Sequence, residues 1–157
     1  MGLSISLGLS LGLASLGLAS GGIVLTPGTS VALTAAADLN IDVTGLRNQK
    51  GVVCVALFDG PAGFPADGTK AVSNKCFKIG ATTQRVNLGQ VRYGRYALSI
   101  LHDENEDQKL NTGFLGIPKE GIGFSKNPRI KRQLPFDETS FEFASGSAPL
   151  KVVMRYF

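Results

Sequence analysis

From Leu39 to its end the chain is patterned in twos, and amphipathic helical periodicity is nearly absent. Leu39, Ile41 and Val43 alternate with Asn40, Asp42 and Thr44, and Gly45 ends the run. Such alternation puts the apolar set on one face of an extended strand, which a helix with its period of 3.6 cannot do. Gly51–Phe58 (GVVCVALF) is apolar on both faces, as a central strand is, and Asp59-Gly60-Pro61 closes it. A strand pair is expected around Lys75–Ile79 and Gln84–Leu88. A stronger strand runs from Arg95 to Leu101, with Tyr96, Leu98 and Ile100 on one face after a turn at Tyr93-Gly94. Phe141 and Phe143 flank Glu142, and Leu150, Val152, Met154 and Tyr156 alternate with Lys151 and Arg155. The pattern predicts an all-β fold, an antiparallel seven-stranded β-sandwich.

Charge divides the chain. Residues 1–37 contain no Asp, Glu, Lys, Arg or His, so all 16 Lys and Arg and all 12 Asp and Glu lie beyond them. There the charged fraction approaches the ordinary globular value of about 25%. A disordered chain, a disulfide-dense mini-protein, a multi-span membrane protein and a collagen-like fibre are all excluded by composition. The expected organisation is a signal peptide over residues 1–37 and a single sandwich domain over 38–157. The tract MGLSISLGLSLGLASLGLAS supplies the apolar run, and Val31–Ala37 supplies small-residue cleavage sites of the A-x-A kind. It lacks a basic leader and is long enough to span a bilayer, so an uncleaved anchor is the alternative. Either reading places the working part outside the cytoplasm, periplasmic or secreted.

Cys54 and Cys76 show no Cys-x-x-Cys spacing, which leaves a zinc or thioredoxin-type site unsupported. An even count in an exported chain favours one disulfide; two buried free thiols are the alternative. The net charge of +4 is mildly basic, and its densest run is Lys126, Arg129, Lys131 and Arg132. No aromatic residues interleave with that run, so no nucleic-acid partner is expected. It reads as a solvated loop or as weakly attracted to an anionic membrane surface.

One long irregular stretch remains, His102 to Glu138, and long loops in compact domains tend to carry function. It contains His102-Asp103-Glu104-Asn105 and, further on, Gly116-Ile117-Pro118-Lys119-Glu120-Gly121-Ile122-Gly123-Phe124-Ser125. Together with Gly94, Tyr96 and Ala97, Gly51–Asp59 and Phe64-Pro65, these segments resemble the exported bacterial family called domain of unknown function 2141. The resemblance runs from about Leu39 to Tyr156 and implies a transthyretin-like or immunoglobulin-like sandwich, with no activity attached. The sequence departs from the family pattern in the middle. There the usual Gly-Asn-Gly-x-Leu-Asp step is Glu106-Asp107-Gln108-Lys109-Leu110-Asn111.

Asp103, Asn105 and Asp107 set oxygen ligands at alternate positions, as calcium loops do. Gln108 stands where that loop wants Gly, and Phe114 where it wants a bidentate Glu. The competing reading is an Asx-rich turn whose side chains cap backbone amides. At most weak calcium binding is expected, and no other cofactor. His102 could serve as general base, pH-sensitive hydrogen-bonder or metal ligand, although a histidine at a strand end is more often structural. One His and a Met154-Arg155-Tyr156-Phe157 ending rule against hydroxyisourate hydrolase chemistry. No nucleophile elbow or phosphate loop is present, and no Trp is available to stack a sugar.

The expected function is that of a binding or accessory module for a small molecule, a glycan or an envelope protein. Its ligand surface is expected at His102, Asp103, Glu104, Asn105, Pro118, Glu120, Gly123, Phe124 and Ser125. A small hydrolase centred on His102, Asp103 and Glu120 is the alternative, and a purely structural envelope protein the third reading.

Overall fold

The computed structural model describes residues 35–131 and 134–157. The signal-or-anchor expectation therefore falls, but for its last residues, outside the described part, as does Arg132. Two sheets stack face to face. In the smaller, β1 (Ala36–Thr44) lies between β4 (Gln84–Arg92), antiparallel, and β8 (Leu150–Val153), parallel. The larger runs β3 (Ser73–Lys78), β2 (Val52–Phe58), β5 (Gly94–Asp103), β6 (Gly121–Phe124). A short β7 (Phe141–Phe143) pairs with the start of β5, on the same edge that β6 occupies further along. A bridge between Ile122 and Arg155 joins the two sheets along one side.

The alternating residues meet where period two places them. Leu39, Ile41 and Val43 of β1 and Val86 and Leu88 of β4 face Val53, Val55 and Leu57 of β2 and Tyr96, Leu98 and Ile100 of β5. Burial of such side chains at roughly 25 cal/mol per Å² is the main force holding the sheets together. The larger sheet is apolar on its outer face too, which accounts for the unbroken GVVCVALF run. There Phe58 and Ala97 pack with Phe136 of the short helix α1 (Phe136–Thr139). The Phe64 ring meets Phe58, Phe136 and Phe124 edge-on, with centroids 5.4, 6.0 and 6.4 Å away. Ser99 Oγ donates to the Pro65 carbonyl at 2.9 Å and ties that loop to the sheet.

Among the described residues there are eight strands, one more than the sequence pattern shows. The added strand is β6, whose residues are buried on both faces and so do not alternate. Its glycines are demanded by the packing. A Cβ on Gly123 would come within 2.8 Å of Val152 Cγ1 and 2.9 Å of Met154 Sδ, and one on Gly121 would strike the Tyr156 ring. A second departure is that β1 and β8 run parallel, because the chain returns to the sandwich beside its own first strand.

Cys54 and Cys76 are directly opposed on β2 and β3 and form a disulfide. It closes a separation of 22 positions, which restrains the unfolded chain by about 3 kcal/mol. The bridge crosslinks the edge strand β3 to the central β2.

Candidate functional site

His102 ends the inner face of β5 and is wholly buried. Its Nε2 lies 2.9 Å from the Lys50 carbonyl oxygen, which can only accept, so Nε2 carries the proton. Nδ1 then accepts from the Tyr156 hydroxyl at 2.6 Å, and that hydroxyl accepts the Arg47 N–H at 3.1 Å. Each partner has one role, and both ring nitrogens are occupied. Burial pushes the Tyr156 phenol above its ordinary pKa, keeping it the proton donor that this chain of bonds requires. The Arg47 guanidinium lies over the Tyr156 ring, 4.7 Å from its centroid, and pairs with Glu104. Burial pushes the Glu104 carboxyl up, but hydrogen bonds from Asn48 and Arg47, with the Arg47 charge, hold it below the usual range.

Two buried carboxylates organise the loop after β5. Asp103 accepts the Asp107 and Gln108 amides at 3.2 and 2.7 Å. Glu120, just before β6, accepts the Glu104 amide at 3.2 Å and the Asn111 amide at 2.9 Å. Asp107 in turn accepts from Asn111, Lys109 and Asn105, and these bonds lower its pKa. The loop is thus an Asx-rich cage in which carboxylate oxygens already hold N–H donors. A cation at Asp103, Asn105 and Asp107 would have to displace them. Among the described residues no group of three or more His, Cys, Asp or Glu is placed to hold a metal ion.

The cage carries a local cost. Glu106 and Gln108 have φ of +61° and +59°, in the left-handed region that glycine occupies freely. These are the two positions where the resembled family pattern has glycine. Gln108→Gly keeps the amide bond to Asp103 and removes the Cβ penalty. It is expected to stabilise the fold by about 0.5–1 kcal/mol, after allowing for glycine's extra unfolded-state entropy. A urea unfolding midpoint that fails to rise would show that Gln108 contributes more through its side chain than its backbone costs.

The other expected site residues separate into two groups. Ser125 is buried, with its Oγ accepting the Leu98 amide at 2.9 Å and donating to the Thr139 carbonyl at 2.6 Å, so it fastens β5 to α1. Gly123 faces the smaller sheet. Phe124 and Pro118 instead line open space over the outer face of the larger sheet. One cavity there, of about 520 Å³, lies over Cys54, Ala56, Ser99 and Leu101, between Pro65–Thr69 and Gln108–Leu110. A second, of about 790 Å³, is bounded by Phe64, Ile117, Pro118, Ile130, Leu134 and Phe157. The two share Pro65, Leu110, Ile122 and Phe124 and so adjoin as one trough. His102, Asp103 and Glu120 line neither cavity. Sequence reasoning missed Arg47, Asn48, Lys50 and Tyr156 as partners of the candidate residues. Only Tyr156 left a signal, by continuing the parity of Val152 and Met154.

A rigid double sheet with a long, internally pinned β5–β6 connection and an apolar trough defines an all-β sandwich protein that displays its loops on a fixed frame. Within that class, the chain belongs to the bacterial family described as "Uncharacterized protein conserved in bacteria (DUF2141)", whose family model matches residues 41–151. No curated protein and no solved structure matches the chain.

Proposed function

We propose that the protein is an exported binding module that takes a small apolar or amphiphilic molecule in the trough on the outer face of its larger sheet. The carrying observation is the pair of adjoining cavities that share Pro65, Leu110, Ile122 and Phe124. Ligand sites are typically concave and mostly apolar, with a few polar groups at the edge. Here Asp67, Thr69, Asn74 and Lys109 supply that edge for a polar end, while the Phe and Ile faces suit an acyl chain or a ring. His102, Asp103 and Glu120 support this reading indirectly, by holding the loop that forms one wall.

Export rests on the disulfide, which belongs to oxidising compartments outside the cytoplasm, and on the uncharged N-terminal tract. Among the described residues no helix is long and apolar enough to cross a membrane. Cleavage between Leu33 and Leu39 would leave β1 with the Leu39, Ile41 and Val43 side chains it contributes to the core.

The test is titration with a fluorescent fatty-acid probe, an undecanoate carrying a dansyl group. Emission is expected to rise and saturate at one probe per chain. Leu110→Asp places a carboxylate in both cavities at a partly exposed position. It is expected to weaken binding at least roughly ten-fold without lowering the melting temperature, because an apolar contact worth over 1.4 kcal/mol is lost. No saturable emission, or equal binding by Leu110→Asp, defeats the proposal.

A further inference from the structure

Between Asn111 and Lys119 the chain forms a narrow arch. The Lys119 amide donates to the Asn111 carbonyl at 2.9 Å, and the Gly113 amide to the Ile117 carbonyl at 2.7 Å. Glu120 grips the base through Asn111. At the apex stand Phe114 and Leu115, exposed to 85% and 82%, with Leu115 at φ +60°. A branched apolar residue in the left-handed conformation costs about 1–2 kcal/mol relative to glycine, and here that cost presents an apolar side chain to solvent. Seven large hydrophobic residues are exposed among those described, and three of them, Phe114, Leu115 and Ile117, lie within this one short arch. Their grouping on one hydrogen-bonded arch separates this patch from scattered surface hydrophobes.

Within residues 109–119 the only charged side chains are the two lysines at its ends. Lys109 and Lys119 are exposed, and neither is in an ion pair among the described residues. The Lys119 side chain runs alongside Gly113 at the arch. The acids that precede and follow this stretch each have partners of their own: Glu104 with Arg47, Glu106 with Lys78, and Asp107 and Glu120 within the cage. Exposed apolar side chains at the apex of a hydrogen-bonded arch, flanked by lysines outside any ion pair, match the interface of an anionic bilayer. We propose that this arch is a membrane-docking element that inserts Phe114 and Leu115 among the headgroups of an anionic bilayer while Lys109 and Lys119 contact the lipid phosphates. The assignment stands whether or not the trough holds a ligand.

The experiment uses the full chain with Leu115→Cys carrying an environment-sensitive nitrobenzoxadiazole label, and Ala81→Cys carrying the same label as a control in the β3–β4 turn. Vesicles are pure phosphatidylcholine, or equal parts phosphatidylcholine and phosphatidylglycerol. Emission at position 115 is expected to brighten and shift to the blue on the anionic vesicles, with position 81 unchanged. Comparing the two positions separates apex insertion from any membrane attachment through residues 1–37. Phe114→Asp in the labelled chain is expected to weaken the response roughly ten-fold or more, and Lys109→Gln and Lys119→Gln roughly five-fold each. An unchanged label at 115 on anionic vesicles overturns the proposal, as do equal responses on the two vesicle types or at the two positions. A blue shift that grows with protein concentration without lipid also overturns it, and assigns the apex to contact with a second copy.

Discussion

Gly51→Ala is expected to unfold the protein or leave it barely folded. Gly51 precedes β2 with φ +70°, and a Cβ there would overlap the Asp103 carbonyl oxygen and lie 2.7 Å from the Glu104 Cα. Those are backbone atoms, fixed by the Val52–Asp103 pairing of β2 and β5 and by the amides that Asp103 and Glu120 hold. No side-chain rotation relieves the overlap, so strand pairing and the loop cage must give way together. The left-handed penalty of about 1–2 kcal/mol and an overpacking cost of about 3 kcal/mol sum to a large share of the 5–15 kcal/mol typical of a domain. Gly89→Ala is the control. Gly89 has φ +83° but meets only the Lys75 Nζ, at 3.6 Å, so it isolates the backbone penalty at about 1 kcal/mol. Urea unfolding of the two variants checks this, and equal losses would show that the Gly51 collision is absorbed.

His102→Ala is expected to cost about 3–5 kcal/mol of folding stability. Removing a wholly buried ring leaves a cavity, takes the donor from the Lys50 carbonyl and leaves the Tyr156 hydroxyl without its acceptor. Tyr156→Phe is expected to cost less, about 1–3 kcal/mol, because it removes a hydroxyl from the same chain of bonds and leaves the packing intact. The double variant should lose less than the sum, since both act on one network. Additive losses would contradict the shared network.

The same network predicts a direction with pH. The folded Tyr156 pKa is raised by burial, so the folded state holds that proton where the unfolded chain releases it. Its contribution is therefore complete below the ordinary tyrosine pKa of about 10 and is lost as pH climbs through the raised value. Tyr156→Phe should flatten this alkaline decline in stability. An identical decline in the variant would assign it to other groups.

Much of this molecule is local and was legible in the residue order. A strand with one face buried must alternate, so Leu39, Ile41 and Val43, or Tyr96, Leu98 and Ile100, declare their strands without reference to any neighbour. The unbroken apolar run marks β2 as a central strand, and the even cysteine count favours the bridge that Cys54 and Cys76 form. Their direct opposition on β2 and β3 is a matter of register that only the structure shows. What the order of residues cannot express is what a face packs against. Strand β6 carries glycine where the smaller sheet presses in, and glycine in a sequence reads as a turn until Val152, Met154 and Tyr156 are seen above it. In the sequence, His102 and the acids after it leave a reactive and a structural role both open. Lys50, Arg47 and Tyr156, brought in from more than fifty positions away in either direction, tie the histidine into a saturated structural bond network. The trough exists only because loops distant in sequence are laid over one sheet face. Alternation is decided between residues two apart, whereas hydrogen-bond saturation and concavity depend on every segment that folds back onto the same place.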